Sequence, residues 1–231
     1  MFWVVDKRRL IFIALVILVI LLILTAIGTL YCYTPRKEYT IVIDAGHGGS
    51  DNGVIGKESG ISESEINLLV SFNLKSKLEE RGVNVVLTRE GKSVLNGESG
   101  TKKDDFEKRK SIITGANPDA VISIHQNKFP DSSRRGAQVF FNAQSQEGQS
   151  LAKAVQASLN ELNEKNVNKE YQALKGDYYI LACSNYPSCI VECGFLSNAE
   201  DEKLLLDATY RDELCKKMVK GIFAFLSERS L

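Results

Sequence analysis

Hydrophobic and polar positions divide the chain into two unequal parts. From Leu10 to Thr34 no charged residue occurs, and Leu, Ile, Val and Ala fill nearly every position as far as Leu24. At about 1.5 Å of rise per residue the run exceeds the roughly 30 Å hydrocarbon core of a bilayer, so it predicts one transmembrane helix over 10–34. A short polar linker, 35–38, separates it from short apolar runs divided by polar, glycine-containing segments as far as residue 231.

Those runs predict alternating strands and helices. Tyr39 to Asp44 reads as a buried strand entering a glycine-rich turn, AGHGGSDNG. Ser62 and Glu65 have capping-box spacing, and Ile66, Leu69, Val70, Leu74 and Leu78 continue as a helical stripe that stops at Gly82. Further strands are expected at 83–88, 120–125, 137–142, 178–182 and 188–194. Helices are expected at 105–115 and 148–163 and over most of 201–227, and a loop at 90–103. The alternation implies an α/β fold: one layered domain, 39–231, with a mainly parallel central sheet of about six strands flanked by helices.

Charge refines this picture. The 231 residues are formally neutral. Residues 1–34 hold Asp6 against Lys7, Arg8 and Arg9, so the remainder has two more acidic than basic side chains. It carries no Lys/Arg run of the kind that marks a nucleic-acid surface, and no nucleic-acid partner is expected. The three basic residues before the apolar run place 1–9 in the cytoplasm and the domain outside it. The competing reading is a cleaved signal peptide, with Ala26-Ile27-Gly28 as a small-residue site. The run is longer than an ordinary signal core, which favours the anchor. Five cysteines occur in no C-x-x-C spacing; three lie in apolar, strand-like stretches and read as buried small hydrophobes, with one disulfide among Cys183, Cys189 and Cys193 as the alternative.

Candidate chemistry centres on the two histidines the chain possesses, His47 in the glycine turn and His125 at the end of VISIH. Both stand at carboxyl ends of expected strands, where open α/β sheets bind ligands. Two imidazoles and a carboxylate suit zinc with a fourth position for water. Glu63 is the leading third ligand, although an acid in a helix first turn needs no metal to explain it. Asp44 is its rival, or a carboxylate that orients His47. In CIVECGF, alternation puts Cys189, Val191 and Cys193 on one face and Ile190 with Glu192 on the other. A carboxylate in so apolar a run has a raised pKa, as a general base requires, unless Arg89 or Arg109 pairs with it.

Four segments, IVIDAGHGGSDNG, ISESEINL, VISIHQN and VECGFLSN, resemble in order the signatures of the zinc-dependent N-acetylmuramoyl-L-alanine amidases of bacterial cell walls. The resemblance runs from Tyr39 to the C-terminus. It implies His47, Glu63 and His125 as zinc ligands, Glu192 as the catalytic carboxylate, and peptidoglycan as substrate. Asn67 and Asn127 match family asparagines and are expected to support the ligands or touch substrate. Where the family has Glu-Lys this chain has Glu63-Ser64, which makes Glu65 a remote rival ligand. With one anchor and no wall-binding repeat, the chain is most similar to the short, membrane-anchored sporulation amidases. That subgroup acts on spore cortex between the forespore membranes, and some clostridial members are expected to need a lipoprotein partner. A zinc peptidase or deacetylase and a non-catalytic wall-binding protein are the alternatives.

Overall fold

The computed structural model describes residues 7–33, 38–91 and 101–229. Positions 35–37 of the expected linker and 92–100 of the expected loop lie outside these, as does the Cys32 side chain. The chain divides into two units, Met1–Lys37 and Glu38–Leu231. The first holds α1, Lys7–Tyr33, whose segment Lys7–Thr25 is long and apolar enough to cross a membrane.

The second unit is a six-stranded sheet between helices. In chain order its elements are β1 (Thr40–Ala45), α2 (Glu63–Glu79), β2 (Asn84–Leu87), α3 (Lys102–Ala116), β3 (Ala120–Asn127), β4 (Gln138–Phe141) and α4 (Gln146–Val167), followed by β5 (Leu174–Lys175), α5 (Tyr179–Ala182), β6 (Ser188–Phe195), α6 (Ala199–Leu206) and α7 (Ala208–Glu228). The strand order is β2-β1-β3-β6-β4-β5, parallel throughout except for the antiparallel β4–β6 pair. Helices α2, α4 and α7 cover one face, and α3 and α5 the other.

Side-chain alternation on the central strands feeds two cores. Ile41, Ile43, Ile122, Ile124, Val191 and Cys193 point to the α2/α4/α7 side. Val42, Val121 and Ile190 point to the thinner α3/α5 side with Ile113, Ile180 and Leu181. Strands buried on both faces read as unbroken apolar runs, which is how they appear in the sequence. Cys183, Cys189, Cys193 and Cys215 are free, so the disulfide reading does not hold; Cys189, Cys193 and Cys215 are buried as small hydrophobes, whereas Cys183 is half-buried.

Three elements differ from the sequence reading. The strand expected at 178–182 is the one-turn helix α5, and the sixth strand is the two-residue β5 at the sheet edge. Helix α3 starts at Lys102, three residues early, because Thr101 and Asp104 form a reciprocal capping box. The C-terminal helical stretch is broken at Asp207, whose carboxylate accepts from the N–H groups of Thr209 and Tyr210 and starts α7.

Candidate functional site

The three central strands deliver their carboxyl ends to one rim. β1 runs into the glycine turn holding His47, β3 carries His125, and β6 carries Glu192 directly opposite His125 in the parallel register. Glu63 is the first residue of α2, capped by Ser62, whose hydroxyl accepts from the Glu65 N–H. The cap turns the helix start toward the strands. Val54 N–H then donates to Glu63 Oε2 at 2.9 Å, and Gln126 N–H to Oε1 at 3.0 Å.

Glu63 Oε1 lies between the imidazoles, 2.9 Å from His125 Nδ1 and 3.2 Å from His47 Nε2. The rings meet edge to face with centroids 4.9 Å apart. One donor atom from each residue lies within 4.8 Å of the others. Ligands bound at about 2.0–2.2 Å around a tetrahedral ion stand roughly 3.3–3.6 Å apart, so small movements suit this donor set to a metal. The electrostatics agree. Burial resists charge on Glu63 and His47, yet the imidazoles hold the Glu63 carboxyl well below the usual carboxylate range. Burial is likewise outweighed at His47, which the Glu63 and Asp51 carboxylates push up to about 9. A carboxylate set between two imidazoles, and strong enough to hold a proton on His47, is equally suited to attract a dication in that proton's place.

Glycines make room for this packing. A Cβ on Gly46 would lie 2.2 Å from His125 Nε2, and one on Gly53, at φ +65°, 2.4 Å from Glu63 Oε2. His47 itself has φ +60°, a left-handed conformation uncommon for a side-chain-bearing residue.

Three groups fix that conformation. Asp51 Oδ2 lies 3.0 Å from His47 Nδ1 and sets which ring nitrogen faces Glu63. Arg109 Nη2 donates to the His47 carbonyl at 2.7 Å, while its other nitrogens bind Asp44 and Asp105, each at 2.7 Å. Arg89 donates to the carbonyls of Ala45, Gly46 and Ser64. Below the turn, Asn67 is fully buried, donates to the Gly46 carbonyl and accepts from Gln126.

Asp44 is not in the His–Glu–His group. Its carboxylate accepts from Thr88, Ser123 and Arg109. Burial would raise its pKa, but Arg109 and these hydrogen bonds hold it at about 2. Its link to His47 runs through Arg109. Asn127 ends β3 beside Phe195, where the β3–β6 register shifts, and its side chain accepts from the Lys128 N–H.

Glu192 has neither arginine as a partner. Its Oε2 is buried without a hydrogen bond, and burial raises its carboxyl to about 7 although His125 pulls the other way. It faces a cavity of ≈ 140 Å³ between the histidines and a wall of Phe106, Tyr178, Tyr179 and Ile180. Sequence reasoning missed Asp51, whose signal was its place four residues after His47. It also missed the aromatic wall and the part that Arg89 and Arg109, weighed only as alternative partners of Glu192, play in holding the glycine turn.

A second clasp shapes the approach to Glu63. Glu202 of α6 is buried and accepts from the N–H groups of Glu58 and Ser59 and from the Ser59 hydroxyl. The loop before α2 is thereby tied to the C-terminal part of the domain.

Comparison with known proteins agrees with this geometry. The sequence model of the N-acetylmuramoyl-L-alanine amidases matches residues 41–224. The germination-specific N-acetylmuramoyl-L-alanine amidase of Bacillus subtilis (strain 168) is 31% identical over 200 residues, 84% of this chain and 83% of that protein. The CwlD amidase from Clostridioides difficile, solved in complex with the GerS lipoprotein, superposes with a TM-score of 0.75 at 37% identity, over 83% of this chain and 100% of that one. An N-acetylmuramoyl-L-alanine amidase from Clostridium difficile 630 gives 0.72 at 26% identity, covering 83% and 98%. The chain therefore belongs to the N-acetylmuramoyl-L-alanine amidase family, and is a hydrolase of that class.

Proposed function

We propose that this enzyme cleaves the amide between the lactyl group of N-acetylmuramic acid and the L-alanine of a peptidoglycan stem peptide, using zinc held by His47, Glu63 and His125 and proton transfer by Glu192. The observation that carries the reading is the Glu192 carboxylate, unpaired at Oε2, set across one strand pair from the His–Glu–His group. Zinc bound there supplies a Lewis acid that polarises the carbonyl and makes a neighbouring water more acidic.

The protein's own groups do the remainder. Burial keeps Glu192 basic enough to take a proton from the attacking water near neutral pH. The same carboxyl then protonates the departing α-amine, since the two transfers are successive and on one side of the amide. Asp51 and Arg109 hold the His47 ring and backbone so that no reorganisation is needed during the reaction. Phe106, Tyr178, Tyr179 and Ile180 give the cavity an apolar side opposite the histidines.

Similarity to the germination-specific amidase supports a role in spore cortex, and the C. difficile complex supports a lipoprotein partner. Helix α1, opened by Lys7, Arg8 and Arg9, serves as a single-pass anchor with the catalytic domain outside the cytoplasm.

The test uses the full chain in detergent with one equivalent of zinc, acting on purified peptidoglycan, with soluble products identified by mass spectrometry. Free peptides beginning with L-alanine are expected. Release of acetate would assign a deacetylase. Shortened peptides left on the glycan would assign a peptidase.

A further inference from the structure

Helix α2 fixes where Glu63 starts but not where its carboxylate points. Two backbone N–H groups do that, Gln126 of β3 at Oε1 and Val54 at Oε2. Val54 belongs to the segment between the glycine turn and α2, which folds back on itself as a short hairpin. Ser64 N–H donates to the Asn52 carbonyl at 3.1 Å, Glu63 N–H to that of Val54 at 2.7 Å, and Gly56 N–H to that of Ile61 at 2.8 Å. Ile55 and Ser62 pair between them as an antiparallel bridge. We propose that Glu202, which grips the far end of this hairpin, is a positioning residue for the metal site, acting through the hairpin on the Glu63 carboxylate. The inference rests on the zinc reading above.

The hairpin tip closes on one carboxylate. Glu202 Oε1 accepts from the Ser59 N–H at 2.7 Å and from the Ser59 hydroxyl, and Oε2 accepts from the Glu58 N–H at 3.1 Å. Gly56 admits it, since a Cβ there would lie 2.5 Å from Glu202 Oε1. Glu202 is buried, whereas Lys57, Glu58 and Ser59 are exposed. Burial therefore does little to hold the tip, and charge-assisted hydrogen bonds to the carboxylate are the stronger restraint.

The place of Glu202 in the fold gives the grip its meaning. It follows Asp201 in the first turn of α6. Asp201 is also buried, and accepts from the Phe195 N–H at 3.0 Å and the Gly136 N–H at 2.7 Å. Phe195 ends β6, the strand that carries Glu192. Two adjacent carboxylates thus tie the hairpin behind Glu63 and the strand bearing Glu192 to one turn of helix. Without the Glu202 charge the hairpin tip is released, Val54 can leave Oε2, and the Glu63 carboxylate can turn from the imidazoles while Asp201 still holds β6.

The test measures zinc affinity by chelator competition on the full chain in detergent, with thermal transitions recorded in the presence and absence of zinc. Glu202→Gln keeps the side chain's shape without its charge. It should weaken zinc about tenfold and shrink the stabilisation that zinc confers. Ser59→Ala removes one donor from the exposed tip; it should weaken zinc less, and add no further loss in the Glu202→Gln background. Glu200→Gln, exposed on the same turn of α6, should match wild type. A Glu202→Gln protein that unfolds more easily but binds zinc as wild type does would make the residue merely structural and overturn the inference, as would an equal loss in Glu200→Gln. If Glu202→Gln does not fold, Ser59→Ala decides, and unchanged zinc affinity there overturns the inference. Wild type that binds no zinc overturns the metal reading and this inference with it, whereas binding that Glu202→Gln leaves untouched overturns this inference alone.

Discussion

His125 and Glu192 are paired residues of the β3–β6 ladder, and their side chains emerge on the same face at the same level. Burial lifts Glu192 more than the neighbouring imidazole lowers it, leaving a carboxyl balanced near neutrality beside a proposed metal ligand. Removing its charge should spare the ligands. Glu192→Gln is expected to keep stoichiometric zinc, measured by elemental analysis, and to lose roughly 10²- to 10⁴-fold in kcat. Loss of metal would make Glu192 a ligand instead.

Acidity follows from the same relationship. Glu192 must be ionised to accept a proton, so kcat/KM should rise with pH through its pKa. A bound dication lowers that pKa from about 7, placing the acid limb between the ordinary carboxylate range and neutrality. The pH–rate profile of the zinc enzyme reads it directly. A limb that persists unchanged in the residual activity of Glu192→Gln belongs to another group.

Asp51→Asn keeps the size of the side chain but replaces the acceptor at His47 Nδ1. Zinc affinity should fall about 10- to 100-fold in chelator competition, with the fold intact. An unchanged affinity would leave Asp51 with no role beyond shaping the turn.

Arg109 and Asp44 form a fully buried ion pair in direct hydrogen-bond contact. Arg109→Ala leaves Asp44 charged and uncompensated, and denaturant titration should show a loss of about 3–5 kcal/mol. Because the Asp44 carboxyl is depressed in the folded state, its contribution is complete above its unfolded pKa of roughly 4 and disappears as pH falls through about 2. That depression corresponds to about 2 kcal/mol of stability. The pH dependence of stability over that window should flatten in Asp44→Asn.

Much of the site was legible because its signals are local. The two histidines exhaust their residue type, Ser62 caps the helix that presents Glu63, and strand alternation isolates Glu192 from its cysteine neighbours. The misread elements lacked such signals. Tyr178 to Ala182 is an apolar, aromatic run too short for periodicity to separate helix from strand. Leu174 and Lys175 are exposed and pair through only two residues. The roles of Arg109 and Asp44 depend on a contact across 65 positions, which no sequence window contains.

The grip of Glu202 on Glu58 and Ser59 spans up to 144 positions. It has a consequence for timing during synthesis. As the chain leaves the ribosome, His47, Glu63 and His125 emerge well before Glu192 and Glu202. The loop leading to Glu63 stays untethered, and the reactive carboxylate absent, until nearly all of the domain has been made. If Glu192 transfers the proton as proposed, a nascent or truncated chain that lacks it should not cut the wall, with no inhibitor needed to restrain it.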